Sequence, residues 1–155
     1  MDIISHGLIN NLIFKELPMQ ERAWAIALGM LPDLISFSGV FQFEFFKKLL
    51  FFKKIPHSFI PDYVFKIYNV THSLVIWAVA FGIFWLFGWY TTAIVFIGWA
   101  VHIVIDIFTH SAQSFPTKIF WPFSNWNYSG FTWSSFKFLA IEYFILALLY
   151  LIFYF

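Results

Sequence analysis

Three side chains that can bind a metal ion lie at four-residue steps inside an apolar stretch of the sequence, WAVHIVIDIFTH at residues 99–110. They are His102, Asp106 and His110. Steps of four residues place them on one face of a helix, about 6 Å of rise apart. Because ionisable groups at membrane depth are costly to desolvate, a row of them is a hypothesis of function. We interpret this row as one wall of a metal site.

A further histidine is expected at the depth of that row. The apolar run before the row is interrupted by the sequence GWYTT, and spans of about 17 to 19 residues on either side are close to the lower length that crosses a bilayer. Residues 71–110 are therefore predicted to form a tight transmembrane helical hairpin. If the hairpin turns between residues 90 and 91, His72 lies opposite Thr109 and level with Asp106 and His110.

A structural interpretation of these residues is also possible, with imidazoles that hydrogen-bond to neighbouring helices and a carboxylate that reaches the interface. Three potential ligands at helical spacing, with a fourth predicted at the same depth, favour the metal interpretation. The chain contains no cysteine, so neither a disulfide nor a thiolate site is possible. Imidazole together with carboxylate suits zinc, manganese or iron better than calcium or magnesium.

Composition defines the class of protein. The chain has 155 residues, of which 61% are hydrophobic, 25% aromatic and only 11% charged, whereas soluble domains are about 25% charged. It is predicted to be an all-α integral membrane protein with a single domain over residues 1–155. A net charge of +1 gives no basic face for nucleic-acid binding.

Residues 1–33 are predicted to form two amphipathic helices. Isoleucine and leucine at four-residue steps indicate the first, which carries His6. The second is expected to end at Met30, because Pro32 interrupts helices. Asp33 would then lie just past a helix end, in a Leu-Pro-Asp turn that leaves its carboxylate free.

The other segments suggest how the chain meets the membrane. Residues 34–70 hold five of the nine basic residues, interleaved with phenylalanine, a mixture that suits the lipid headgroup region. Residues 111–135 are predicted to form a loop and residues 136–155 a third and last span. Lysines occur both before and after the hairpin, so the two flanking segments are predicted to lie on the cytoplasmic side of the membrane. The site, which lies at that end of the hairpin, is then expected at the cytoplasmic face. Glu142, in the last span, either snorkels to the interface or reaches the site as a further ligand or proton acceptor.

A set of short motifs occurs in one order along the chain: Ser5-His6-Gly7, Leu31-Pro32-Asp33, Thr71-His72-Ser73, His102-x-x-x-Asp106-x-x-Thr109 and Trp121-Pro122. Over about residues 1–124 they resemble the bacterial membrane-bound metal-dependent hydrolases described as LexA-binding and inner-membrane-associated. Their order is also similar to the zinc-dependent phospholipase C and P1 nuclease superfamily, an all-helical fold with a multi-zinc site. The resemblance implies an inner-membrane location.

The resemblance also implies roles for individual residues. It places one metal ion among four of them: Asp33, His72, His102 and Asp106. His6 would share Asp106 to hold a second ion, and His110 is the candidate for a third. Such clusters activate water and stabilise a phosphoryl transition state. Asp33, as ligand or general base, and Asp106, as the bridging carboxylate, are then the catalytic residues.

The chain departs from the hydrolase pattern at two places. The family usually has a second acid two residues after the Leu-Pro-Asp aspartate, where this chain has Ile35, and a His-Arg pair where it has Ile67 and Tyr68. Loss of the arginine removes a phosphate clamp. Phosphate binding would then depend on Lys66 or Lys118.

The function expected from the sequence is hydrolysis of a phosphoester, first of all in a membrane phospholipid, by metal-activated water at the membrane surface. Two other classes of function are open. One is a non-catalytic membrane protein in which the metal site staples the hairpin to the amino-terminal helices. The other is a small transporter, for which buried histidine and aspartate are also expected.

Overall fold

A computed structural model describes residues 1–37, 60–113 and 115–155, and within these ranges the fold is helical without strands. This confirms the all-α prediction. Most of the predicted interfacial segment, residues 38–59, lies outside the described residues. The helices are α1 (Ile3–Ile13), α2 (Met19–Ser36), α3 (Asp62–Thr71), α4 (Leu74–Leu86), α5 (Tyr90–Thr109) and α6 (Phe136–Tyr154).

Two of these helices, α5 and α6, are long and apolar enough to cross a membrane. Helices α3 and α4 meet at a bend of 48° and form a third candidate span if they are counted together. None of the residues of α4 is buried within the protein, as expected of an apolar helix that faces lipid. The predicted class of integral membrane protein is therefore confirmed.

Helix α2 is longer than the sequence predicted. It continues through Pro32 to Ser36, so the expectation that Asp33 follows a helix end in a turn is wrong. Proline removes one helical hydrogen bond, but membrane helices tolerate it where neighbouring groups satisfy the backbone. One turn before the proline, the Gly29 carbonyl accepts from His102 Nδ1 at 2.7 Å. Beyond it the helix continues, since the Phe37 N–H donates to the Asp33 carbonyl at 2.9 Å and Ser36 Oγ donates to the Pro32 carbonyl at 2.7 Å.

The hairpin between α4 and α5 turns earlier than predicted. Its turn lies at residues 87–89, before α5 begins at Tyr90, and not between residues 90 and 91. Gly88 has a φ of +74°, a conformation that glycine adopts without steric cost and that commonly ends helices. The earlier turn changes which residues of the two arms lie at equal depth, and His72 now faces His102.

Small residues let α1, α2 and α5 approach closely. A Cβ atom on Gly98 of α5 would collide with the Ala25 carbonyl of α2, and one on Gly29 of α2 would collide with the Asn10 side chain of α1. Such contacts are the usual means by which membrane helices pack. They hold the three helices together beside the histidines of α5.

The protein interior is largely polar. Several of its fully buried side chains are ionisable, among them His6, His72, His102 and Asp106, whereas Phe144 and Leu151 of α6 are exposed. The loop after α5 closes one end of this interior, because the Gly130 N–H donates to the His110 carbonyl at 2.8 Å. Apolar side chains outside and polar groups inside are expected of a helix bundle in lipid.

Candidate metal centre

Four buried side chains converge at the centre of the described residues: Asp33, His72, His102 and Asp106. One ligand atom of each lies within 4.8 Å of all the others. Asp33 comes from α2, His72 from the bend between α3 and α4, and the other two from one face of α5. The convergence of these four residues, which the sequence analysis expected, is therefore present in the structure.

The shortest distances join the two histidines. His72 Nε2 and His102 Nε2 are 2.9 Å apart, and Asp106 Oδ2 is 3.3 Å from each of these nitrogens. Asp33 Oδ1 lies 3.5 Å from His72 Nε2 and 3.7 Å from His102 Nε2. These four atoms surround one point.

The protonation of both imidazoles is set by the backbone. His72 Nδ1 is 3.1 Å from the Tyr68 carbonyl, and His102 Nδ1 is 2.7 Å from the Gly29 carbonyl. A carbonyl only accepts hydrogen bonds, so each Nδ1 carries its proton and each Nε2 presents a lone pair to the centre. The two lone pairs face each other beside two carboxylates, and only a cation between them, either a proton or a metal ion, removes their repulsion.

The aspartate oxygens at this point support the same conclusion. Asp33 Oδ1 and Asp106 Oδ2 are buried and accept no hydrogen bond from the described residues. Burial alone would raise the pKa of Asp33, but the two imidazoles beside it outweigh burial and hold that pKa below its ordinary value. A buried carboxylate that faces two histidines in this way suits a metal ligand.

Asp106 has a second face turned away from the four-residue centre. Its Oδ1 accepts hydrogen bonds from the Met1 amino group at 2.8 Å, from His6 Nε2 at 3.0 Å and from Thr109 Oγ1 at 3.3 Å. One carboxylate therefore joins two groups of polar side chains. This is the position that a bridging ligand occupies.

His6 supports the centre from α1. Its ring stacks on His102 with the centroids 3.7 Å apart, and its Nε2 donates to Asp106. Burial and the neighbouring His102 lower the pKa of His6 to about 4, so the ring is neutral at physiological pH. Its Nδ1 has no hydrogen-bond partner among the described residues.

His110 lies at the edge of the centre. Its Nε2 is 3.6 Å from Asp106 Oδ2 and has no hydrogen-bond partner within the described ranges. Its Nδ1 is 3.1 Å from the Phe115 carbonyl and 2.7 Å from the Tyr68 hydroxyl, so the proton is on Nδ1. Burial lowers the pKa of His110 to about 4 against the opposing charge of Asp106. The ring is neutral, and its Nε2 lone pair is free to bind an ion.

Glu142 does not join the four-residue centre. Its side chain is only 7% exposed. It lies beside Asp2 and Ser5 at the start of α1.

The residues that orient the histidines were not predicted from the sequence. Tyr68 stacks on His72 with the ring centroids 3.7 Å apart and bonds to His110 through its hydroxyl. Thr71 Oγ1 lies 2.9 Å from His72 Nδ1. A signal for Tyr68 exists, because it precedes His72 by four residues and so lies on the same face of the helix.

Comparison with known proteins identifies the family. The family model described as YdjM inner membrane protein matches residues 1–155, and the chain belongs to this family. No curated protein and no solved structure is significantly similar to the chain. The membrane location that composition and helices indicate agrees with the family description.

Proposed function

We propose that this YdjM-family membrane protein holds a divalent metal ion among Asp33, His72, His102 and Asp106. The observation that carries the proposal is the meeting of four buried acceptor atoms, two of them nitrogens whose tautomer is fixed by backbone carbonyls. Metal-bound histidines nearly always have the other ring nitrogen anchored in this way. Two imidazoles and two carboxylates suit zinc first, with manganese or iron as alternatives.

His6 and His110 extend the proposal to further ions. His110 has a buried Nε2 without a hydrogen-bond partner among the described residues and only 3.6 Å from Asp106. On the other side of Asp106, His6 would become a ligand in its other tautomer, with the ring proton on Nδ1 and the Nε2 lone pair free. Asp106 then bridges the two sides, and the site holds one to three ions.

We propose further that this centre hydrolyses a phosphoester, with a membrane phospholipid as the first candidate substrate. A bound divalent ion lowers the pKa of its water and neutralises phosphoryl oxygens. Asp33 would act either as a ligand or as the group that accepts a proton from that water, because its Oδ1 is buried and has no hydrogen-bond donor in the described part of the chain. The surface lysines Lys66 and Lys118 are the candidates for phosphate binding, and the cytoplasmic face is the proposed location.

A second candidate function is a structural metal site without catalysis. All four residues are at most 3% exposed, and they connect α2, the bend between α3 and α4, and α5. Structural metal sites have closed coordination, whereas catalytic ones keep an open position. An ion here would staple the hairpin to the amino-terminal helices.

Elemental analysis of the detergent-purified protein tests the metal proposal. Asp106→Asn should lose most of the metal, whereas Asp62→Asn should keep it, because Asp62 is exposed at the start of α3. Wild-type protein that stays metal-free after incubation with zinc, manganese and iron would refute the site.

The hydrolase proposal is tested by assaying the metal-loaded protein on phospholipids and soluble phosphoesters. Turnover by the wild type that is lost in Asp33→Asn would support the hydrolase. Metal binding without any turnover would instead support the structural site.

A further inference from the structure

An apolar groove of about 500 Å³ runs along the bend between α3 and α4. Its volume is in the range of about 300–1,000 Å³ that is common for small-ligand sites. Helix α5 forms one wall and the end of α2 closes another. The walls are made mainly of aliphatic and aromatic side chains, among them Ile35, Ile67, Ile76, Trp77, Phe96 and Trp99.

Apart from Lys66 at one end, the polar side chains in these walls are already bonded within the protein. Trp77 Nε1 donates to the Phe96 carbonyl at 2.9 Å, and Trp99 Nε1 donates to the Thr71 carbonyl at 2.7 Å. Ser73 Oγ donates to the Trp121 carbonyl. Away from Lys66, the groove therefore presents hydrocarbon and indole faces to an occupant, and such a surface favours an apolar ligand.

The surroundings of the groove indicate which kind of apolar ligand it binds. One wall belongs to α4, which has no buried residue and so faces lipid. The hydrocarbon available at that face is the acyl chain of a membrane lipid. Lys66 lines the groove at the α3 end and forms no ion pair with the described residues, so its ammonium group complements a negative headgroup.

We propose that this groove binds an acyl chain of an anionic membrane lipid, with the headgroup at Lys66. The bound chain lies next to the metal centre, because two wall residues connect the groove to its ligands. Thr71 lines the groove and its Oγ1 is 2.9 Å from His72 Nδ1, and Trp99 precedes His102 by one turn of α5. That the bound lipid is also the substrate rests on the proposed hydrolase function, whereas occupancy of the groove does not.

This assignment gives a physical reason for Ile35. The resembling hydrolases usually have an acid at this position, but a carboxylate there would lie in the apolar wall and would repel both an acyl chain and an anionic headgroup. Isoleucine instead extends the apolar surface.

Native mass spectrometry of the detergent-purified full-length protein tests the groove. The probes are phosphatidylglycerol and phosphatidylcholine with identical acyl chains. Ala80→Trp fills the groove, since Ala80 lines it, and the control Ala78→Trp adds the same ring to an exposed position of the same helix. Wild type and Ala78→Trp should retain bound phosphatidylglycerol, and Ala80→Trp should retain at least tenfold less. Equal retention by the two tryptophan variants would overturn the proposal.

Lys66→Gln tests the headgroup contact without changing the apolar walls. It should bind both lipids alike, whereas the wild type prefers phosphatidylglycerol, and an unchanged preference would overturn the role of Lys66. Gel-filtration profile and metal content of the same samples report whether each variant is folded. If the wild type holds no metal but Ala80→Trp still loses its lipid, the metal proposal fails and the groove stands. If metal is present and Ala80→Trp keeps its lipid, the groove fails alone.

Discussion

Replacing His102 by alanine should remove the dependence of thermal stability on metal. His102 joins the centre to the rest of the protein, because its Nδ1 donates to the Gly29 carbonyl at 2.7 Å and its Nε2 lies 2.9 Å from His72 Nε2. The substitution therefore has two separate effects. One is present without metal, and the other appears only when an ion is bound.

The metal-independent effect comes from the Gly29 carbonyl, which loses the imidazole donor. A buried polar group left without its partner costs about 1–3 kcal/mol. A protein of this size changes its melting temperature by about 2–4 °C for each kcal/mol. In the presence of a chelator, His102→Ala should therefore melt about 2–12 °C below wild type.

The metal-dependent effect follows from binding linkage. A ligand that binds only the folded state stabilises it by about 4 kcal/mol at a free concentration of 1,000 times its Kd. The wild type should therefore melt about 8–16 °C higher with saturating zinc than with chelator. His102→Ala should show little of this rise, since one of the four ligands is missing.

Scanning fluorimetry in detergent, with zinc and with chelator, measures both effects. The matched control is Trp77→Phe, which removes another hydrogen bond from a ring N–H to a backbone carbonyl, that of Phe96, away from the metal centre. This variant should melt lower under both conditions and keep the full rise with zinc. A wild type whose melting temperature ignores zinc, manganese and iron, or a His102→Ala variant with an unchanged rise, would refute the reasoning.

Three further substitutions, two of them with a matched control, test other parts of the site. Asp106→Asn removes a buried anion from its partners and should lower the free energy of unfolding by about 3–5 kcal/mol. Asp62→Asn, at an exposed position, should change it by less than about 0.5 kcal/mol. Chemical denaturation measures both. Gly98→Ala should destabilise the protein by about 1–3 kcal/mol because its Cβ meets the α2 backbone. Gly82→Ala, with open space around it, should stabilise the protein by about 0.4–1 kcal/mol. A Gly98→Ala variant more stable than Gly82→Ala would contradict this packing. Tyr68→Phe removes the hydroxyl that bonds to His110. If His110 is a ligand, metal titration should show binding weakened by about 10–100-fold.

The helix face at the centre could be predicted from sequence because it depends only on local geometry. A residue four positions along a helix always returns to the same face, so no knowledge of the fold was needed to group His102 with Asp106. The contact of His72 with this row was also expected, although the predicted turn was wrong. The potential ligands of α5 recur every four residues. An error of about one helical turn in the position of the hairpin therefore moves His72 from the level of one of them to the level of the next.

The path of α2 could not be predicted because proline has opposite consequences in different surroundings. In a water-exposed segment, Pro32 would favour a helix end before Asp33. Here the helix continues, and the carbonyls near the proline are satisfied by Ser36 and by His102 from another helix. The sequence identified Asp33 through its resemblance to a family, but its local conformation depends on contacts between helices.

The contacts of Glu142 could not be predicted for a related reason, and that of His6 with Asp106 was expected only from the resemblance to a family. Whether an ionisable residue on one helix meets another depends on where the helix axes cross. That crossing is set by Gly98 and Gly29, at which α5 meets α2 and α2 meets α1. In the sequence, these glycines look like any others in a membrane helix. The polar centre therefore depends on close backbone packing, and a methyl group at Gly98 should disturb the metal site although it touches none of the ligands.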